Sequence, residues 1–207
     1  LAAVIQHNTS GFASPADKNI KTPRDFEGKT YGGWGSPAET AILKTLMQKY
    51  HADFNQVKMV NIGTADFFTS VKKDVDFSWI FYGWTGIEAE QRHMPLNYIE
   101  LKEELPVLDY YTPVIIASEK TIAKNPELVK KFLKATSEGY RFAISNPSEA
   151  GQILIHNVPE INQKLVMASQ AYLAPRYQAE APRWGEMKAD VWKDYADFMY
   201  NNGLISK

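Results

Sequence analysis

The residues of this chain whose types and spacing could do chemistry lie at two glycine-bearing turns. The first runs Gly32-Gly33-Trp34-Gly35 into Ser36-Pro37-Ala38-Glu39. It has neither the G-x-G-x-x-G spacing of a dinucleotide loop nor the Walker pattern with Lys and Ser/Thr. A strand–glycine–helix turn still aims backbone N–H groups outward, and a helix N-terminus favours anions. Glu39 works against an anion, because a carboxylate in the first turn already interacts with the positive helix end and repels sulfonate or phosphate. Two readings of Glu39 stand side by side. It closes a capping box with Ser36, or it faces a ligand bearing amino groups, with Trp34 as the stacking surface.

The second turn follows Trp79-Ile80-Phe81 and reads Tyr82-Gly83-Trp84-Thr85-Gly86. Alternation puts Trp79 and Phe81 on one face of a strand, where core packing is the plainer expectation. Tyr82 and Trp84 fall in the turn itself, outside the carboxyl end of a strand, where open α/β sheets bind ligands. Trp34 and Trp84, each just past a strand, suit a flat heteroaromatic ligand. Tyr110-Tyr111-Thr112 precedes a further strand and is a candidate hinge segment. Trp184 and Trp192 read as packing anchors in a helical tail.

Other chemistries have little to build on. The chain has no cysteine, which removes thiolate nucleophiles, disulfides, iron–sulfur clusters and Cys-type zinc sites. Its four histidines include no i, i+4 pair and no HExxH. His7 is the one to watch, because it ends an apolar run beside Asn8, Thr9 and Ser10. No Ser-His-Asp set or paired-carboxylate set is apparent, so no enzyme activity, cofactor or metal is expected. The 23 basic and 24 acidic residues give a formal charge of -1, so no net field steers the chain toward nucleic acid. At 207 residues, 44% of them hydrophobic, one or two domains are plausible, and no apolar run reaches the roughly 20 residues of a membrane-spanning helix.

The elements that must position these residues alternate over the first half. Strands are expected at residues 1–6, 30–32, 57–62, 75–81, 96–100 and 111–118, with residues 7–11 as a polar loop. Helices are expected from Ser36 as N-cap with Pro37 at the first position, at 65–73, and from the second turn through Arg92. The alternation predicts an α/β fold with mixed, mainly parallel sheets flanked by helices. From Thr121 onward the pattern is helical, with helices at 127–145, 147–157, 161–172 and 187–202. A compact second lobe at residues 20–108 is expected between two parts of a first lobe, 1–19 and 109–207. That first lobe looks under-supplied with strands. Because Leu1 opens directly into an apolar run, its N-terminal part is expected to be missing.

Four segments carry a family resemblance: Ile5-Gln6-His7-Asn8-Thr9-Ser10-Gly11, Thr22-Pro23-Arg24-Asp25-Phe26-Glu27-Gly28-Lys29, Gly33-Trp34-Gly35-Ser36-Pro37-Ala38-Glu39 and Asp109-Tyr110-Tyr111-Thr112-Pro113. Together they resemble the ThiY-like substrate-binding proteins of ABC importers for thiamine pyrimidine precursors. These are type 2 periplasmic binding proteins, related to the yeast thiamine pyrimidine synthase. The second segment is shared with sulfonate importers, while the third is narrower. The resemblance implies a two-lobed fold with an aminopyrimidine between the lobes, stacked on aromatic rings and held by carboxylate and amide groups. Closure would present the protein to a membrane permease. This points to Trp34, Gly35, Ser36, Glu39, Tyr82 and Trp84, with Asn8, Thr9, Ser10 and Tyr110 on the hinge side. It also implies an extracytoplasmic location, with any signal or anchor outside this chain. A full-length chain is expected as a monomer, and the incomplete lobe leaves a surface for association. The competing readings are a sulfonate- or taurine-type anion-binding protein, an enzyme like the yeast synthase, which would need a cysteine-rich iron site and a cofactor lysine, and a remnant with no ligand.

Overall fold

The computed structural model describes residues 1–63 and 65–206. The chain divides into two compact units. One comprises Leu1–Asn8 and Tyr110–Val191, the other Thr9–Asp109 and Trp192–Lys207. The first crossing lies at Asn8–Thr9 rather than after residue 19, and the tail from Trp192 groups with the central segment rather than with the outer one.

The central unit holds a five-stranded mixed sheet. Its strands are β2 (Ser10–Pro15), β3 (Thr30–Gly33), β4 (Lys58–Asn61), β5 (Phe77–Phe81) and β6 (Leu96–Glu100), after the short β1 (Ala2–Ala3) of the other unit. Their order is β4-β3-β5-β2-β6. Strand β3 runs parallel to β4 and β5, whereas β2 is antiparallel to β5 and β6.

Strand β2 takes up Ser10 and Gly11, the last two residues of the polar loop expected at residues 7–11, while residues 7–9 lie outside any strand. Its sequence Ser-Gly-Phe-Ala-Ser-Pro carries one large apolar residue, which gives little periodic signal. Its neighbours explain the small ones. A Cβ on Gly11 would lie 2.4 Å from the Ile99 carbonyl oxygen and 2.7 Å from the Tyr98 ring. Phe12 is the strand's single anchor. It packs edge-on to Phe26 at 5.5 Å, Tyr31 at 5.7 Å, Phe77 at 6.0 Å and Trp79 at 5.7 Å.

Helix α1 (Pro37–Lys49) starts where its sequence says, with Ser36 as N-cap, Pro37 in the first turn and Glu39 closing the capping box. Its stripe Ile42, Leu43, Leu46 and Met47 is fully buried. The short helices α2 (Phe67–Ser70), α3 (Ile87–Gln91) and α4 (Leu101–Glu104) complete the central unit with α1. A second core there gathers Ala13, Phe67, Phe68, Val71, Val75, Ile80 and Ala89.

The outer unit is mostly helical. Strand β1 pairs with β7 (Val114–Ile115) over two residues each, far shorter than the strands expected at 1–6 and 111–118. Past Ala3 the Val4 N–H still donates to the Pro113 carbonyl at 3.0 Å, but Pro113 has no N–H to return, so the ladder ends there. The Gln6 N–H donates to the Arg176 carbonyl, an acceptor that the end of a helix leaves open. Helices α5 (Glu119–Lys124), α6 (Pro126–Ser145), α7 (Pro147–Asn157), α8 (Gln163–Gln178) and α9 (Ala189–Asn201) follow, with the unit boundary inside α9. The outer core gathers Ala2, Ile5, Tyr177 and Trp184, with Leu133, Tyr140 and Ile144 of α6 packed against the cluster. Trp184 stacks on Tyr140 at 4.5 Å. Trp192, expected as an anchor, is 45% exposed. Among the described residues no helix is long and apolar enough to cross a membrane.

Candidate functional site

The turn from β3 into α1 is built around the Glu39 side chain. Its Oε1 accepts the Tyr31 hydroxyl at 2.5 Å and the Trp34 N–H at 3.1 Å, and its Oε2 accepts the Ser36 N–H at 2.7 Å. Glycine is required at 33, where a Cβ would lie 2.1 Å from Glu39 Oε1. Gly35 has φ +84°, in the left-handed region. Burial, together with Glu39, pushes the Tyr31 hydroxyl far above its ordinary pKa, so it stays a donor. Glu39 is 1% exposed. Of its two readings, the capping role is the one seen, widened to hold the whole turn. A cavity of about 390 Å³ beside it is lined by Gly33, Gly35, Ser36, Asn61 and the edge of Glu39.

With the backbone of Trp34 tied to Glu39, its side chain stands 47% exposed. The indole packs against Trp79 of β5, 5.3 Å between ring centroids. Trp79 is half-buried and also touches Phe12 across the β2–β5 pairing, where the two residues are register partners. Its indole Nε1 is buried and meets no acceptor among the described residues. This feature left no mark in the sequence, which reads Trp79 as core. Phe81, read the same way, is 47% exposed at the strand's end.

Strand β5 leads into a π-helical turn, Tyr82–Gly86, a conformation frequent at functional sites. Its two aromatic residues part company. Trp84 is 40% exposed. Tyr82 lies over Gly86, where a Cβ would come within 2.6 Å of its ring, and packs on Tyr98 at 4.9 Å. Its hydroxyl donates to the Glu90 carboxylate. Tyr82 thus lines a separate cavity of about 420 Å³ with Glu90, His93, Met94, Leu96 and Tyr98.

The remaining candidates are distributed over both units. Asn8 and Tyr110 belong to the outer unit, and Thr9 and Ser10 to the central one. Asn8, Thr9 and Ser10 are all buried. The Thr9 carbonyl accepts the Tyr82 N–H at 3.1 Å and the Tyr98 hydroxyl at 2.8 Å, so it fixes the second turn. His7 places Nε2 2.9 Å from Glu180, which helps hold that carboxyl below its ordinary range. Among the described residues no group of three or more His, Asp or Glu is placed to hold a metal ion. The groups assembled at the two turns are indoles, backbone amides and a carboxylate engaged with them, a set suited to binding.

Comparison with known proteins gives a consistent family. The family model described as NMT1/THI5 like matches residues 1–150. The formylaminopyrimidine-binding protein of Halalkalibacterium halodurans is 23% identical over 210 residues, covering 96% of this chain and 62% of the relative's length. The riboflavin-binding protein RibY of Chloroflexus aurantiacus is 30% identical over 102 residues, 44% of this chain and 28% of that one. Among solved structures, the periplasmic aliphatic sulphonate binding protein SsuA of Escherichia coli superposes with a TM-score of 0.69 at 17% identity, over 100% of this chain and 66% of that one. The desulfurization enzyme DSZB superposes with a TM-score of 0.62 at 13% identity, over 100% of this chain and 73% of that one. These likenesses show that the fold is shared by binding proteins and an enzyme.

Proposed function

Because the chain belongs to the NMT1/THI5-like family, we propose that it serves as the extracytoplasmic solute-binding component of an ABC importer. Its ligand in this reading is a thiamine pyrimidine precursor of the hydroxymethylpyrimidine or formylaminopyrimidine type, which it delivers to a membrane permease. The observation that carries the reading is Trp34, an exposed indole on a backbone held rigid by the buried Glu39. A flat aminopyrimidine gains most from such a face, which offers large apolar contact at low conformational cost. Trp84 offers a second exposed ring past β5. The name of the H. halodurans relative, which matches almost the whole chain, supports the same ligand class.

Glu39 acts on this ligand indirectly, as the residue that positions Trp34. It also weighs against an anion. The Trp34 and Ser36 amides, which a sulfonate would use at the start of α1, already donate to Glu39. The enzyme reading lacks a nucleophile or acid–base pair at these turns.

A tryptophan-fluorescence and thermal-shift titration tests the proposal. Hydroxymethyl-, aminomethyl- and formylaminomethyl-pyrimidines are offered beside taurine and riboflavin. Stacking on Trp34 should quench emission, and binding to the folded state should raise the melting temperature. A response to taurine alone, or to riboflavin alone, overturns the pyrimidine assignment.

A further inference from the structure

We propose that Trp79 is a ligand-contacting residue, whose indole N–H donates to an acceptor atom of the bound heteroaromatic once the ring of Trp34 has swung aside. This rests on the binding reading above and assigns the polarity of the site.

A buried N–H without an acceptor is costly, and native proteins keep few of them. The chain itself supplies the contrast. Trp184, a packing residue of the outer unit, donates its indole N–H to the Val4 carbonyl at 3.3 Å. Trp79 is buried at the same atom yet has no acceptor among the described residues. It lies near the carboxyl end of β5, the edge at which open sheets of this class take ligands. The ring packed on it is Trp34, which is 47% exposed.

In this proposal the donor is reached past the Trp34 ring, which packs on Trp79. Glu39 pins the Trp34 amide rather than its side chain, so the indole can change rotamer while the turn stays in place. A ligand entering beneath Trp34 meets an aromatic face and the Trp79 donor. The matching ligand edge must therefore carry an acceptor. The ring nitrogens and the formyl oxygen of a formylaminopyrimidine qualify, whereas its amino groups do not.

The test is a chemical cycle read by calorimetric titration, with formylaminomethyl-pyrimidine as probe. Its partners are analogues in which one ring nitrogen at a time is replaced by C–H, and aminomethyl-pyrimidine, which lacks the formyl oxygen. Trp79→Phe removes the donor and some volume. Trp79→3-benzothienylalanine removes the donor and keeps the ring's shape. Both variants should weaken binding of the parent pyrimidine about tenfold. For one of these analogues, wild type and variants should bind alike, because that analogue lacks the acceptor. Equal affinity of wild type and the benzothienyl variant for the parent overturns the inference and leaves the binding reading intact, as does an equal loss across every analogue. Failure of wild type to bind any pyrimidine overturns the binding reading itself.

Discussion

Around the five-stranded sheet, Phe12, Phe26, Tyr31 and Phe77 are at most 1% exposed and meet ring to ring, whereas the longest helix of the outer unit, α6, has no fully buried residue. Helix α6 turns Leu133, Tyr140 and Ile144 toward the outer core. It presents Leu128 at 63%, Phe132 at 53% and Phe142 at 37% exposure on a second stripe. Ile116, just past β7, is 79% exposed. The difference follows from architecture rather than composition. A central strand such as β2 has neighbours on both edges and covers on both faces, so one Phe can organise a core. A two-residue ladder gives the outer helices little to pack against. The chain spans 62% of the length of its H. halodurans relative.

The strongest way to break this comparison is to cut into the closed side. Phe77 is fully buried and stacks on Phe26 at 4.2 Å. Phe77→Ala should cost about 3–5 kcal/mol by urea denaturation, the range for a large aromatic removed from a packed core. A loss under about 1 kcal/mol would mean that the aromatic cluster relaxes as easily as the outer unit.

Glu39→Gln tests the candidate site within the same closed region. The carboxylate accepts from Tyr31, Trp34 and Ser36, and an amide would turn a donor toward at least one of these donors. The expected loss is about 2 kcal/mol, with a shift in tryptophan emission as the Trp34 turn loosens. Unchanged stability and emission would show that the carboxylate does not organise the turn.

Asp76 gives a smaller effect with a defined pH dependence. Burial alone would raise its carboxyl, but the Thr30 N–H and the Lys18 ammonium outweigh that and hold it below the ordinary range. The unfolded chain therefore binds this proton more readily than the folded one. The stabilisation is fully present above the unfolded value of about 4 and is lost as pH falls through the lower folded value. Lys18 is partly exposed and its share is screened, so most of the effect comes from the Thr30 amide. Asp76→Asn should lose about 1 kcal/mol near neutral pH, and the gap from wild type should close in acid. A gap independent of pH would assign the loss to packing.

How much of this was legible in the sequence depended on whether the cause was local. The capping box at Ser36 and Glu39 and the start of α1 could be read because a cap is written in adjacent residues. Strand β2 could not, because its identity comes from pairing with β5 and β6, far along the chain. The aromatic turn after β5 was found, but the division of labour within it was not. Tyr82 is drawn aside by Gly86 and Glu90 of the following turn and helix and by Tyr98 of β6, and only the folded unit brings Tyr98 to it. The indole of Trp79, which meets no acceptor among the described residues, is likewise invisible, since a missing partner is a property of the whole neighbourhood.

The mildest substitution sharpens the comparison from the open side. At 53% exposure Phe132 leaves no cavity when shortened, and Phe and Ser have similar helix propensities. Phe132→Ser should therefore move the urea midpoint by no more than about 0.5 kcal/mol equivalent. Its effect should show in association instead, because a contiguous apolar stripe in water promotes self-contact. Light scattering on heating should fall relative to wild type. If Phe132→Ser destabilises the chain as strongly as Phe77→Ala, the α6 stripe is covered in solution, and the contrast between a closed and an open unit does not hold.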